Sequence, residues 1–271
     1  VKIDKLDVKR LSEWKNRVNE REVGVSTKQN AYREFCAMLN WAVKMEYLPA
    51  NPLPKVGNFK EIYFSKPQDK LHYYTAEQFK EFISVAKENR DNRFGQSVYV
   101  FFCIAFYTGM RKGEINALKW SDVEGNIIHV RRSVAQKVKG VHFMETPPKN
   151  RSSYRDLQMP SCLMEILSEQ RELQSQEKGF SDDFRVCGGD DVLSDTYIEN
   201  TNQKYARIAG LPKIRIHDFR HSHASILANE GINIQEIARR LGHNKIETTW
   251  NTYSHLYPRE EERAVKILDN L

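Results

Sequence analysis

The sequence lacks the features of a membrane protein. None of its apolar runs nears the roughly 20 residues that cross a bilayer, and its mean hydropathy is −0.66. No N-terminal stretch has the basic, then apolar, then small-residue order of a signal peptide. Cysteine is scarce: Cys36, Cys103, Cys162 and Cys187 are the four present, with no C-x-x-C pair among them. That excludes a disulfide frame and a cysteine zinc site, and it fits reduced, structural thiols in an intracellular protein. There is no internal repeat and no low-complexity tract. The chain opens on Val1 and not on methionine, so a piece of a longer protein is expected.

What is present is a core and an uneven charge. Of the 271 residues 40% are hydrophobic, enough for one large domain or two smaller ones. The net charge is +6, and residues 1–72 hold most of the excess, with 14 basic and 9 acidic residues. A basic N-terminal segment suits a polyanion, with nucleic acid first in line. Charge alone fits a solvated surface equally well.

Residues Ser26 to Met45 have helical spacing at Ala31, Phe35, Met38, Leu39 and Ala42, with Ser26 and Gln29 placed as a capping box. An earlier helix is expected between Asp7 and Asn19. The prolines at Pro49 and Pro52 end the second helix. The expected layout is a helical domain over 1–64, a basic linker over 65–73 and a second domain over 74–271. That second domain opens with a helix at Thr75, again with a glutamine three residues on. Ser97 to Tyr107 is apolar almost all round and reads as a buried helix stopped by Gly109, with a short helix over Gly113 to Leu118. Asn126 to Val134, Val141 to Thr146 and Tyr154 to Met159 read as strands of one small antiparallel sheet. Helices resume from Ser161. The fold class is therefore mainly α with a small antiparallel β-sheet, in two domains.

Four segments hold chemistry-bearing residues. Thr108-Gly109-Met110-Arg111-Lys112-Gly113-Glu114 sets Arg111 at a turn between helices. Thr146-Pro147-Pro148-Lys149-Asn150 sets Lys149 between strands, with Arg155 beyond. In Ile216-His217-Asp218-Phe219-Arg220-His221-Ser222-His223, His217 and Arg220 share a helix face, and Asp218 complements the macrodipole at the helix start. His217 and His221 also stand at i and i+4, a spacing that can grip zinc. Against zinc, the pattern lacks the glutamate of H-E-x-x-H, and Arg220 sets a fixed positive charge beside any bound cation. The fourth segment runs from Leu241-Gly242-His243 to Thr252-Tyr253-Ser254-His255. Singly, each has an ordinary reading: a solvated arginine, a lysine facing water in a turn, a tyrosine packed near a C-terminus.

Together, T-G-M-R-K-G-E-I, P-P-K-N-R-S-S-Y-R, H-D-F-R-H-S-H-A, L-G-H and T-Y-S-H, in that order, resemble a tyrosine recombinase of the phage integrase family. The integrases of conjugative transposons and prophages are the nearest likeness, and it covers nearly the whole chain. The resemblance implies a core-binding domain followed by a catalytic domain with a C-terminal tail helix. It implies that Arg111 and Arg220 are the catalytic arginines, Lys149 the hairpin lysine and His217 the first histidine of H-x-x-R. His243 takes the position held by histidine or tryptophan, Tyr253 is the nucleophile, and Glu114 supports Arg111. His221 matches a frequent family histidine of structural role. The implied function is site-specific cutting and rejoining of duplex DNA, integrating or excising a mobile element. The implied setting is a homo-tetramer on DNA in the bacterial cytoplasm, at the nucleoid, with accessory excision or bending factors. The tail after Tyr257-Pro258-Arg259, with Ala264, Val265, Ile267, Leu268 and Leu271, is expected to pack either on its own domain or on a neighbouring protomer.

The chemistry agrees with these residue types. A phosphodiester repels nucleophiles, and its transfer needs extra negative charge stabilised on the non-bridging oxygens. Two arginines can do this without a metal ion, because each guanidinium stays protonated and offers a planar fork of donors. No metal and no cofactor are therefore expected. A tyrosine hydroxyl titrates near 10, so it must lose its proton as it attacks. His217 is the expected base, His243 a donor to the phosphate, and Lys149 the acid for the leaving 5′ oxygen. By the resemblance, the product is a 3′-phosphotyrosine and a free 5′-hydroxyl. The alternatives are a type IB topoisomerase that relaxes supercoils, a DNA-binding protein with vestigial catalytic residues, and a metal-dependent hydrolase built on His217 and His221.

Overall fold

A computed structural model describes residues 3–60, 72–90, 92–136, 138–148, 151–258, 261, 265, 268 and 269. The chain divides into two units, Val1–Lys70 and Leu71–Leu271. The linker expected over 65–73 lies, apart from its last two residues, outside the described residues, as does most of the tail beyond Pro258.

In the first unit Asp7 caps α1 (Val8–Asn19) by accepting from the Arg10 amide at 2.8 Å. Helix α2 (Val25–Lys44) starts one residue earlier than its sequence pattern indicates, and Gly24 caps it without a side-chain bond. Ser26 and Gln29 therefore form no capping box. Gln29 instead donates to the Phe59 carbonyl at 3.0 Å, a contact thirty residues away in the chain. The core of this unit is Leu11, Tyr32, Leu39, Ala42, Leu48, Leu53 and Phe59. Asn51 turns the chain after α2 by accepting from the Leu53 amide at 2.9 Å.

The second unit opens with α3 (Ala76–Glu88), where both halves of the Thr75/Gln78 capping box form. Helix α4 (Arg93–Thr108) is buried over most of its length, as its apolar circumference requires. It packs against α3, against α6 (Ser161–Ser175) and against α8 (Asp218–Asn229). Phe79 stacks on Phe106 with ring centroids 3.6 Å apart, and Phe82, Phe102 and Phe219 close around each other beside them. Gly109 ends α4 in the left-handed region, where a side chain would meet the His223 ring at 2.8 Å. Helix α5 (Lys112–Ala117) follows at once.

The expected single sheet is in fact two. Strands β1 (Val123–Glu124), β2 (Ile127–Val130) and β5 (Arg155–Gln158) form one antiparallel sheet in the order β1-β2-β5. Strands β3 (Ser133–Ala135) and β4 (Met144–Thr146) form a separate hairpin. The run Asn126 to Val134 breaks at Arg131-Arg132, where Arg132 pairs with the buried Asp122 at 3.1 Å. An ion pair with a buried carboxylate outweighs strand continuity there. After α6 come α7 (Asp195–Ile208), α8, α9 (Ile234–Leu241) and α10 (Ile246–Tyr253). All four cysteines are free thiols, with Cys103 and Cys187 buried. Among the described residues no helix is long and apolar enough to cross a membrane.

Candidate active site

Helix α8 begins at Asp218, which fixes Arg215 by accepting from its amide at 2.8 Å and pairing with its guanidinium. Two residues on, Arg220 is only 3% exposed. Its Nη1 donates to the Gly109 carbonyl at 2.7 Å, and its Nη2 donates to the Leu241 carbonyl. Both carbonyls stand at helix C-termini, where the backbone favours a cation. Gly109 and Gly242 take left-handed conformations that let the two helix ends close in on the guanidinium.

Arg111 lies just before α5. The Glu114 carboxylate accepts from its amide at 2.9 Å and from its Nη1 at 2.8 Å. Its Nη2 reaches the Gly242 carbonyl at 3.4 Å. The two arginines therefore donate to the carbonyls of successive residues, Leu241 and Gly242, and His243 comes next in the chain. Glu114 is buried at 4% exposure and also takes a forked pair from Arg155, at 3.1 and 2.8 Å. Arg155 is held in turn by the Arg240 carbonyl at 2.7 Å.

Burial raises the Glu114 pKa, but the Arg155 hydrogen bonds and charge, with Arg111, outweigh it and hold the carboxyl below its ordinary value. A carboxyl with a depressed folded pKa contributes stability above its unfolded pKa of 4.5, and that stability is lost as the pH falls through the folded value. Glu114→Gln leaves a buried guanidinium unpaired and will cost about 3–5 kcal/mol of stability at pH 7. In urea denaturation the gap between parent and variant should be constant above the ordinary carboxylate range and narrow below it. A gap that does not change with pH would show that the charge of Glu114 is not what stabilises the fold.

His217 caps α8, and His221 lies one turn along, with the two rings edge to face at 5.1 Å. His221 Nδ1 is 2.6 Å from the Tyr253 hydroxyl. His243 Nδ1 is 2.8 Å from the hydroxyl of the buried Thr249 on α10. Burial lowers the pKa of all three histidines. For His217 and His243 the positive charge of Arg220 adds to this, and for His221 the neighbouring His217 does. His221 and His243 both fall to about 4, so they are neutral at physiological pH. Burial pushes the Tyr253 phenol well above its ordinary value, while Arg220 opposes the rise. Burial and the charges of Arg111 and Arg155 make the Arg220 cation costly. A site with this surplus of fixed positive charge is built for an anion.

Lys149 lies outside the described residues. Pro147 and Pro148, just before it, line a cleft of about 460 Å³ together with Arg111, Glu114, Ser133, Thr146 and Ser153. Among the described residues no group of three or more His, Cys, Asp or Glu side chains is placed to hold a metal ion. Three contacts were not legible from motif order: Arg155 on Glu114, Thr249 on His243, and His221 on Tyr253. The i, i+4 spacing of His217 and His221 is the one available signal for the last of these.

Residues 72–260 match the family model described as the phage integrase family. The ICEBs1 integrase of Bacillus subtilis is 28% identical over 276 residues, covering 99% of this chain and 72% of that protein. A XerC-like tyrosine recombinase of Caldanaerobacter subterraneus is 30% identical over 254 residues, covering 86% of this chain and 63% of that protein. The fold is similar to that of the Tn1549 transposon integrase in complex with a circular intermediate DNA, with a TM-score of 0.72 at 21% identity, covering 97% of this chain and 85% of that one. It is also similar to a lambda integrase dimer bound to a core site, with a TM-score of 0.62 at 15% identity, covering 93% of this chain and 81% of that one.

Proposed function

The chain belongs to the phage integrase family of tyrosine recombinases, and on that premise we propose that it cleaves and rejoins duplex DNA at specific sites through Tyr253. The observation that carries this reading is the anchoring of Arg220 and Arg111 on the successive carbonyls of Leu241 and Gly242, with His243 next in the chain. Residues from separate segments thereby meet at one place suited to one phosphate.

In the reaction the Tyr253 oxygen attacks phosphorus, and the bond from phosphorus to the 5′ oxygen breaks. Arg111 and Arg220 bind the non-bridging oxygens, where charge accumulates. His217, neutral at the mouth of α8, takes the phenol proton. His243, oriented by Thr249, donates to the phosphate, and Lys149 supplies the proton that the 5′ oxygen gains. The phosphotyrosine conserves the bond energy, so a 5′-hydroxyl from another duplex reverses the step without ATP. The same residues acting without strand exchange would give topoisomerase-like relaxation, and the recombinase relatives do not favour that reading.

We assign DNA contacts to residues 1–64 and to residues 74–271, joined by the basic linker. Assembly into a tetramer on DNA, with accessory factors at the bacterial nucleoid, belongs to the same proposal. A nicked duplex carrying the end sequence of the host element should trap a covalent complex that survives detergent. Peptide mapping should place the phosphate on Tyr253, and trapping should persist in excess chelator. An adduct on another residue would overturn the nucleophile, and complete loss in chelator would overturn the metal-free step.

A further inference from the structure

Tyr253 is closed off from solvent. The residue is 1% exposed, packed among Ala224, Ala228, Ile237 and Leu241. Its one hydrogen-bond partner among the described residues is His221 Nδ1, at 2.6 Å. His221 lies four residues beyond His217 on α8, roughly 6 Å further along the helix axis at 1.5 Å per residue. The phenol is thus bonded one helical turn further along α8 than the histidine that would take its proton. A phosphate on a DNA duplex cannot enter an apolar pocket this closed, so the ring must leave it before it reacts.

We propose that His221 is a positioning residue that seats Tyr253 in a withdrawn position, and that cleavage begins when the phenol leaves this seat. The inference rests on Tyr253 being the nucleophile. With Nε2 carrying the ring proton, Nδ1 accepts from the hydroxyl and satisfies a buried donor that would otherwise be costly. No covalent bond changes, and the proton stays on the phenol until His217 receives it. In this proposal His221 holds the phenol in its seat, and the base remains His217 at the start of α8. Release is local. Helix α10 has eight residues and no side-chain cap at Lys245, and its outer face leaves Ile246 and Trp250 exposed. Tyr257 anchors the following turn by donating to the Ile232 carbonyl at 2.6 Å, so movement can be confined to the segment between Gly242 and Tyr257.

Two readouts test the seat. In the full chain carrying 3-fluorotyrosine at position 253, His221→Phe should shift the fluorine resonance toward that of a solvent-exposed phenol. His221→Asn, whose amide oxygen can stand in for Nδ1, should keep it near the parent. This arm needs no recombination and holds even if the parent forms no adduct, an outcome that would sink the proposed function alone. On nicked DNA, His221→Phe should form the adduct faster, by about two- to tenfold for one neutral hydrogen bond, and His221→Asn should return toward the parental rate. A loss of about a hundredfold with DNA binding intact would make His221 a base and overturn the proposal. Unchanged resonance and rate in His221→Phe would overturn it too. Thermal melting of each variant separates misfolding from release, and if His221→Phe fails to fold, the His221→Asn resonance and rate decide alone: departure of both from the parent overturns the seat.

Discussion

Tyr253→Phe will bind DNA as tightly as the parent and leave no protein–DNA adduct that survives detergent. The substitution removes one oxygen and keeps the ring, which stays packed against Ala224, Ala228, Ile237 and Leu241. The loss to the fold is the hydrogen bond to His221, a net of about 1 kcal/mol, too small to unfold a domain. The arginine cluster keeps its anchors, because Arg111 and Arg220 are held by Glu114, Gly109, Leu241 and Gly242. Electrophoresis in detergent after incubation with nicked DNA is the check, alongside binding at matched salt, since phosphate contacts make affinity depend on salt. An adduct formed by the phenylalanine protein would mean that another side chain attacks.

Arg220→Ala will lower the single-turnover cleavage rate by about a thousandfold, the upper range for removing one preorganised donor from a transition state. The guanidinium is anchored by two carbonyls, so its position is set before any phosphate arrives. Arg220→Lys should recover little of the rate. A lysine is a point charge on a flexible stem and cannot hold both the Gly109 and Leu241 carbonyls while also facing a phosphate. Both variants will also melt lower, because two helix-end carbonyls lose their donor. Cleavage within tenfold of the parent would show that the phosphate does not sit at Arg220.

Local signals in the sequence carried where helices begin and end, and the segments that hold the site. Thr75 and Gln78 are three apart and cap α3 with each other's side chains and amides alone. The apolar circumference of α4 needed no partner to be read as buried. What failed was decided by distant residues. Ser26 and Gln29 have the same spacing as Thr75 and Gln78, but α2 starts at Val25, which puts Ser26 inside the helix, and Gln29 donates to the Phe59 carbonyl. The strand run from Asn126 was divided by Asp122, a buried carboxylate waiting for Arg132. In the site, the motifs supplied residue types and their order. That Glu114 is shared between Arg111 and Arg155, and that Tyr253 turns toward His221, are facts of packing that no spacing encodes.

The last turn of α9 serves as a covalent ruler. Arg220 and Arg111 come from helices more than a hundred residues apart, yet each hangs from one of two adjacent peptide groups, at Leu241 and Gly242. Neighbouring Cα atoms in a trans chain are about 3.8 Å apart whatever the side chains around them do. The interval between the two charges is therefore referred to bond lengths instead of to the fit of a core. Thermal loosening or a substitution elsewhere can shift this pair of charges together, carrying His243 with it, more easily than it can pull them apart.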